Sequence, residues 1–437
     1  MKGKKIQLLI KIIIPIVIIG ASFGAYILFN NNAEKAFEKV VVVNDDSDSY
    51  SDSTSSLEVL SKEAYGDIKG FSKNYGFIND DEILIGVGLS KEEFYEKYPD
   101  EIDKMDDELY WKADSDKSGE VYKYNLINSE KKPFDVKVNN MYSVSISTLG
   151  KYAYLDEDKI SIFDTVKNKK TNYIGDDIYY DSGFKIKPES SEWSKDGSTL
   201  IYYYDGNLIL YNVKEDVKNI VKVDDGERHV SVMPSYYSED GKEVYFIGVK
   251  YTKNLSSQGI YKVNVDSESV EEVFSLPYHG NTSNDYSKYS GISDEKYCVL
   301  DEGKRIMFGG IIEGVDGTYI YNVEEGKFHN VITHKVKSEE GLYGSDIWVS
   351  PDKTKVIYIN LALQEDGKEG WDLYAANING NSLTNRICIY KNIELCERNI
   401  VWSKDSKKIL FFTTDNFTMR NYINFADKNE INIITFK

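Results

Sequence analysis

The residues that could carry acid–base or nucleophilic chemistry are few in this chain and match no catalytic spacing. Its 437 residues include only four histidines, which are His229, His279, His329 and His334. None of them lies in a His-Glu-x-x-His motif or beside a Gly-x-Ser-x-Gly turn. Acidic pairs such as Asp80-Asp81 recur, but 72 acidic residues produce such pairs in turns by chance. The sequence therefore predicts no catalytic residue, no metal site and no cofactor site.

A recurring phrase, aromatic-Ser-x-Asp-Gly followed by a hydrophobic run, indicates which elements must position any functional residue. One copy runs from Trp193 to Tyr204, and others begin at Tyr237, Val349 and Trp402. Asp-Gly steps favour tight turns, because glycine adopts positive φ easily and aspartate bonds to its own backbone. The runs that follow are rich in Tyr, Ile, Val and Phe, which favour strands. Each copy therefore predicts a strand, a tight turn and further strands.

The copies recur at intervals of about 45 to 60 residues, close to the size of a four-stranded propeller blade. Six units follow from about residue 139, and a degenerate unit precedes them with strand-like runs at Glu82 to Val87 and Gly119 to Leu126. The sequence predicts an all-β propeller of about seven four-stranded blades, with six or eight as alternatives. A β-sandwich with extra strands is the competing fold, but it does not explain the recurring phrase.

The phrase resembles the WD40-like repeat of TolB-type propellers and of the propeller domain of dipeptidyl-peptidase IV. The resemblance covers roughly residues 139 to 437. It implies a propeller but no particular activity, because propeller blades carry unrelated functions. In a propeller the first strand of each blade borders the central channel. We therefore expect four charged residues near the channel mouth as candidate binding residues: Arg228, His229, Asp346 and Arg398.

The segment Ser90 to Lys117 interrupts the first unit and has the pattern of a helix. Ser90-Lys91-Glu92-Glu93 is a capping box, which satisfies two N–H groups at a helix start. Apolar residues then recur three or four positions apart, at Phe94, Tyr98, Ile102, Met105 and Leu109. This helix is either structural padding on the first blade or a lid or docking element. In the second interpretation, Phe94 and Tyr98 are candidate binding residues.

The N-terminal residues predict a membrane anchor. Residues 12 to 29 form an apolar run that just spans a hydrocarbon core of about 30 Å. Four lysines lie within residues 1 to 11, so this end is expected to stay in the cytoplasm and the rest to be exported. A cleaved signal peptide is the alternative.

The residues after the predicted anchor are expected to connect it to the propeller. Residues 30 to 65 are expected to form a stalk and an Asp/Ser-rich tether, because they have little to bury. Within them, Val40 to Val43 is either an isolated strand or the end of a stalk helix. Residues 66 to 437 are expected to form the propeller, with its helical insertion at 90 to 117.

The charge of the chain limits its partners. The formal net charge is −19, which repels phosphate polymers, so nucleic acid is not an expected partner. The 35 tyrosines either fill the space between blades or line a sugar- or peptide-binding surface. Cys388 and Cys396 either pair or, like Cys298, serve as small buried apolar residues.

Together these features favour a single-pass membrane protein that displays a propeller outside the cell. Its expected role is a non-catalytic one, as a module of the cell envelope that binds a protein, peptide or glycan. Two alternatives stay open. One is an extracellular enzyme that acts on polysaccharide or peptide, and the other is a structural subunit of an envelope complex.

Overall fold

The computed structural model of this chain is built almost entirely from β-strands. It describes residues 42–44, 57–68, 72–88, 90, 92–93, 96, 120–134, 144–147, 151–156, 159–164, 169–174, 191–204, 207–223, 228–230, 236–238, 240–251, 256–278, 290–333, 346–363, 369–393, 400–414, 417–420, 423–426 and 429–437. The first two strands are β1 (Val42–Asn44) and β2 (Val59–Ile68), which pair with strands much later in the chain.

The strands that follow form antiparallel sheets, each built from four strands that are consecutive along the chain. Blade 1 contains β3 (Ser72–Phe77), β4 (Glu82–Val87), β5 (Glu120–Asn125) and β6 (Lys131–Pro133). Blade 2 contains β7 (Val144–Ile146), β8 (Lys151–Asp156), β9 (Lys159–Asp164) and β10 (Lys169–Ile174). Blade 3 contains β11 (Glu192–Trp193), β12 (Thr199–Tyr204), β13 (Asn207–Asn212) and β14 (Val217–Lys222).

The next three sheets repeat this order with small additions. Blade 4 has β15 (Arg228–Val230) and β16 (Tyr236–Tyr237), which both pair with β17 (Glu243–Tyr251), followed by β18 (Ser256–Asn264) and β19 (Val270–Tyr278). Blade 5 contains β20 (Gly291–Leu300), β21 (Arg305–Ile312), β22 (Val315–Asn322) and β23 (Lys327–Thr333), with β1 parallel to β23 at its edge. Blade 6 contains β24 (Ile347–Val349), β25 (Lys355–Leu363), β26 (Glu369–Asn379) and β27 (Ser382–Tyr390).

The last sheet joins the two ends of the described chain. Blade 7 contains β28 (Val401–Trp402), β29 (Lys408–Thr414) and β32 (Asn429–Phe436), and β2 is its outermost strand. A separate hairpin, β30 (Phe417–Arg420) with β31 (Ile423–Ala426), lies between β29 and β32 in the chain. The backbone N–H of Lys437 donates to the carbonyl of Glu58, which extends the pairing of the two ends beyond β2.

Packing between consecutive blades closes the sheets into a ring. In the described part of the chain, each of seven hydrophobic clusters is shared by two neighbouring blades. One of them joins the last blade to the first, because Leu410 and Phe412 pack with Ile83 and Ile85. A fully buried Ile or Phe contributes about 1.5–3 kcal/mol, so every blade depends on both of its neighbours. The expected all-β propeller is confirmed.

The tyrosine pairs of the strands serve this packing. Tyr202 belongs to the cluster between blades 2 and 3, whereas Tyr203 packs against the cluster between blades 3 and 4. Successive side chains of a strand point to opposite faces of the sheet, so adjacent tyrosines reach opposite neighbours. For this pair, the interpretation that tyrosines fill the space between blades is confirmed.

A hydrogen-bond clamp explains the recurring Ser-x-Asp phrase. The hydroxyl of Ser194 donates to the Asp196 carboxylate at 2.6 Å and accepts the backbone N–H of Thr199 at 2.9 Å. The Asp196 carboxylate also accepts the N–H of Ser198 at 3.0 Å. The same bonds recur at the turns that begin with Ser238, Ser350 and Ser403.

The hydrogen bonds of the clamp lower the pKa values of its aspartates. Hydrogen bonds from Ser194 and from the Ser198 N–H hold the pKa of Asp196 below its usual value. The Ser238 hydroxyl does the same for the pKa of Asp240. These bonds favour the ionised carboxylate, so the turns are tightest above the acid range.

The residue after each aspartate has a left-handed backbone. Gly197 and Gly241 have φ values of 64° and 71°, as their place in the phrase predicted. Lys353 and Ser406 occupy the same place with φ values of 60°. A side chain in this conformation is strained by roughly 1–2 kcal/mol, so these two residues are held there by other contacts.

Because neighbouring strands of a blade run in opposite directions, their connections lie alternately at the two ends of the central channel. The Ser-x-Asp turns join the first and second strands of a blade, and we call the end of the channel where they lie the turn end. Connections from the second to the third strand lie at the opposite opening, called here the loop end. The Ser90 to Lys117 insertion leaves blade 1 at Val87 and returns at Glu120, which are register partners. Its attachment points are therefore at the loop end.

Several sequence predictions concern short segments. The capping box is confirmed, because the Ser90 N–H donates to the Glu93 carboxylate at 2.8 Å and the Glu93 N–H donates to the Ser90 hydroxyl at 3.2 Å. Val42–Asn44 is a strand, but it pairs with blade 5 rather than standing isolated. Cys388 is a free, exposed thiol, so both predictions for it, a disulfide and a buried apolar position, are wrong.

The anchor predicted at residues 12 to 29 lies outside the described residues. Among the residues that are described, no helix is long and apolar enough to span a membrane.

Candidate functional site

Five side chains from four consecutive blades come together near the turn end of the channel. Blade 3 provides Glu192, blade 4 provides Tyr236, blade 5 provides Tyr297 and Cys298, and blade 6 provides Lys353. We call this group the channel cluster. Each member lies on the innermost strand of its blade or in the turn that follows that strand, so blade packing fixes its position.

The repeat itself decides which way these side chains face. The residue directly before the turn serine packs against the preceding blade. Trp193, which precedes Ser194, does so in the cluster between blades 2 and 3. The residue one position earlier points the other way, because strand side chains alternate. Tyr236 accordingly packs against the cluster between blades 4 and 5. Glu192, Tyr236 and Cys298 occupy this same position in three successive blades.

Lys353 of blade 6 and Tyr236 of blade 4 make a direct contact, although blade 5 lies between them in the ring. The Lys353 ammonium lies 4.6 Å from the centre of the Tyr236 ring and donates a hydrogen bond to its hydroxyl. The other side of Tyr236 meets Tyr245, with ring centres 6.2 Å apart in an edge-to-face arrangement. This contact accounts for a lysine at a turn position where three other blades have glycine.

Glu192 is the carboxylic acid of the cluster, and its pKa is strongly raised. Its side chain is exposed to solvent, yet burial among protein groups raises the pKa of its carboxyl to about 7. A hydrogen bond with the Trp193 backbone opposes this rise. The carboxyl is thus accessible to solvent but surrounded by protein atoms, which weaken its solvation. No charge among the described residues offsets the desolvation, because no cation contributes to the pKa of this carboxyl.

The two neighbouring acids of blade 5 stay protonated at neutral pH. Burial, followed by the charge of Glu192, raises the pKa of the Tyr297 hydroxyl well above its usual value. Burial also raises the pKa of the Cys298 thiol to about 12, although the Lys353 charge opposes the shift. Glu192 is therefore the member of the cluster whose charge changes near pH 7.

This arrangement supports two kinds of chemistry. A carboxyl with a pKa near neutral exchanges a proton readily, which suits a general acid or base. A desolvated carboxylate also gains strongly from an external cation, because an opposite charge restores the ionised form. No group of three or more His, Cys, Asp or Glu side chains that could hold a metal ion occurs within the described ranges.

Three of the charged residues predicted from the sequence are described, and they are not members of the channel cluster. Arg228 and His229 begin β15, towards the loop end of blade 4. Asp346 precedes β24 in blade 6 and is only 2 % exposed. Blade 5 separates these two places, so the structure does not bring Asp346 together with the other two. Arg398, Phe94 and Tyr98 lie outside the described residues.

Four of the five members of the channel cluster were missed because they lie just outside the recurring phrase. Comparing the position two residues before the turn serine in each copy would have found Glu192 and Tyr236. The position after the aspartate would have found Lys353, which replaces the expected glycine. Neither comparison shows which of these residues meet in space, because that depends on how the blades are arranged around the channel.

Known proteins resemble this chain in structure rather than in sequence. No protein-family model and no curated protein sequence matches this chain. Similar solved structures include oligogalacturonate lyase from Vibrio parahaemolyticus, with 11% identity, 72% of this chain and 96% of that chain covered, and a TM-score of 0.39. TolB from Acinetobacter baumannii has 12% identity over 72% of this chain and 76% of its own, with a TM-score of 0.39.

A third similar structure is dipeptidyl peptidase 4 from Porphyromonas gingivalis, with 10% identity and a TM-score of 0.39. The match covers 70% of this chain and 56% of that chain. All three are β-propellers. The propeller fold that the repeat phrase predicted is shown by the strand pairing of this chain itself. Because the fold occurs in binding proteins and in enzymes, it does not determine the function.

Proposed function

We propose that this propeller is a non-catalytic binding module whose partner docks at the turn end of the channel. The observation that supports this is the channel cluster, where a carboxyl, an ammonium and aromatic rings are presented by four blades. Binding sites need such groups to be held rigidly, because ordering them on contact would cost affinity. Here the sheets hold them in advance.

We also propose that the propeller lies outside the cell. The propeller is displayed outside the cell by the anchor at residues 12 to 29, with residues 1 to 11 in the cytoplasm. Its partner is a protein, peptide or glycan of the cell envelope. The net charge of −19 supports a partner other than nucleic acid.

Site-specific photocrosslinking on intact cells tests this proposal. A photoreactive aromatic residue is placed at Lys195 beside the turn end, at Tyr251 towards the loop end, or at Val217 on the outer rim of blade 3. All three positions are exposed. We expect one discrete adduct from position 195 and none from position 217, because only the turn end carries the cluster.

Other patterns of adducts would overturn parts of the proposal. An adduct from position 251 alone would move the binding site to the loop end. An adduct from position 217 alone would favour the structural subunit of an envelope complex. The absence of adducts from all three positions would contradict the binding function.

An enzyme that acts on polysaccharide or peptide is the second candidate, and Glu192 is the observation that favours it. A carboxyl whose pKa is about 7 is suited to proton transfer at neutral pH. If this candidate is correct, Glu192→Gln should abolish turnover of envelope polysaccharide or peptide by the purified propeller. If the binding function is correct, the wild-type protein should release no product from either material.

A further inference from the structure

We propose that Glu192 binds an ammonium or guanidinium group, so that the ligand of the turn end is a lysine- or arginine-containing peptide segment. The inference rests on the proposed binding function and specifies its ligand. A protein segment is favoured over a glycan because neutral sugars offer no cation to this carboxylate.

The surroundings of Glu192 suit a cation from outside the chain. The carboxyl is exposed to solvent on β11, which packs beside the Tyr236 strand β16. Its charge acts on Tyr297 and Cys298, which stay neutral. An N–H donor that carries positive charge makes hydrogen bonds roughly twice as strong as a neutral donor. A cationic side chain entering the channel would therefore gain more at Glu192 than a neutral one of the same shape.

The neighbouring blade shows that this end of the channel accommodates cations on aromatic rings. The Lys353 ammonium already rests on the Tyr236 ring. Because Lys353 also bonds to the Tyr236 hydroxyl, its charge is held at blades 4 and 6, whereas Glu192 projects from blade 3. The net charge of −19 would further raise the local concentration of a basic peptide.

The proton balance of Glu192 gives a readout that a merely structural carboxyl would not show. The titratable groups that face Glu192 from blade 5 are Tyr297 and Cys298, and both are protonated at pH 7. Lys353 is the nearby cation of blade 6, and its charge acts on Cys298. A cation bound at Glu192 would favour the carboxylate and expel its proton, releasing about half a proton per ligand at pH 7.

The test uses the full chain and two capped peptides, acetyl-Gly-Arg-Gly-amide and the same peptide with neutral citrulline in place of arginine. Calorimetric titration at pH 7 in two buffers of different ionisation enthalpy measures affinity and proton release together. We expect the arginine peptide to bind at least about tenfold more tightly than the citrulline peptide, with proton release. Glu192→Gln should remove both the preference and the proton release.

A matched variant separates the site from general charge. Glu215→Gln removes the same charge from an exposed turn of blade 3 and should leave both readouts unchanged. Equal affinity for the two peptides, or equal effects of the two substitutions, would overturn the assignment to Glu192. If that happens while position 195 still gives its crosslink, the binding function stands and only the cationic ligand is wrong. If the crosslink is absent as well, the binding function fails.

Discussion

The ammonium of Lys353 rests on the ring of Tyr236, 4.6 Å from its centre, although a whole blade separates the two residues in the ring. Their separation of 117 positions in the chain makes this a tertiary contact that only the closed propeller forms. Lys353 also has a left-handed backbone conformation, with a φ of 60°. This one side chain therefore brings a positive charge to the turn end from a turn position that is glycine in other blades.

Replacing this lysine tests the value of the contact. We expect Lys353→Met to lower the free energy of unfolding by about 0.5–2 kcal/mol, because the cation–aromatic attraction is lost. Lys304→Met, at an exposed position in the corresponding turn of blade 5, is the matched control and should change it little. Equal effects of the two substitutions in urea unfolding would show that the contact does not contribute to stability.

Glu192 should make the stability of the protein depend on pH in an unusual direction. Its pKa in the folded state is about 7, above the unfolded value of 4.5, so folding favours the protonated carboxyl. The stability associated with it is complete below about pH 4.5 and is lost as the pH rises to about 7. We expect Glu192→Gln to raise the melting temperature at about pH 8 but not at about pH 4. An equal change at both pH values would contradict the raised pKa.

The turn glycine of blade 3 should be intolerant of a side chain. Gly197 has a φ of 64°, where a β-branched residue is strongly strained. We expect Gly197→Val to cost about 1 kcal/mol or more in the free energy of unfolding. Gly66→Val is the control, because a Cβ at Gly66 would meet no atom within 4 Å. A melting temperature unchanged by Gly197→Val would mean that the turn adapts.

The N-terminal strand β2 should be required for closure of the ring. It supplies the outermost strand of blade 7, and its Lys62 ammonium donates to the carbonyl of Ile389 in blade 6 at 2.6 Å. We expect a chain that begins at Leu57 to unfold like the full protein. A chain that begins at residue 69 should lose several kcal/mol, because Ile68 and the pairing with β32 are removed. Similar melting of the two chains would contradict closure by β2.

The insertion of blade 1 should be dispensable for folding. Val87 and Glu120 are register partners, so the chain can be closed between them without changing the sheet. We expect replacement of residues 91 to 116 by a short Gly-Ser turn to leave the melting temperature nearly unchanged. If the insertion is a docking element, the full protein should also give a crosslink from position 251, and this variant should lose it. Unfolding of the variant would identify the insertion as structural padding.

The sequence was sufficient for the repeat and its turns, because these depend on local chemistry. Ser194 and Asp196 bond within one turn, and Gly197 adopts its positive φ for reasons visible in five residues. The closure of the ring could not be read in the same way, since β2 pairs with a strand more than 350 residues later. Its residues carry no version of the phrase and look like part of a linker.

The candidate site was missed for a related reason. Glu192 looks like any other of 72 acidic residues until its blade is placed beside the next two. Its pKa is set by burial among groups that are distant in the chain, and Tyr297 lies 105 positions further along. By contrast, Arg228 and Asp346 were selected because their position on first strands suggested the channel. Of these two, Asp346 is only 2 % exposed.

The most direct measurement is the titration of the Glu192 carboxyl by carbon-13 NMR in the full protein, with and without the capped arginine peptide. We expect a pKa of about 7 for the Glu192 carboxyl of the free protein and a clear fall in that pKa when the peptide is bound. The citrulline peptide should leave it unchanged. A free pKa near the ordinary value of 4.5, or one that the arginine peptide does not lower, would contradict a cation-binding carboxyl at the turn end.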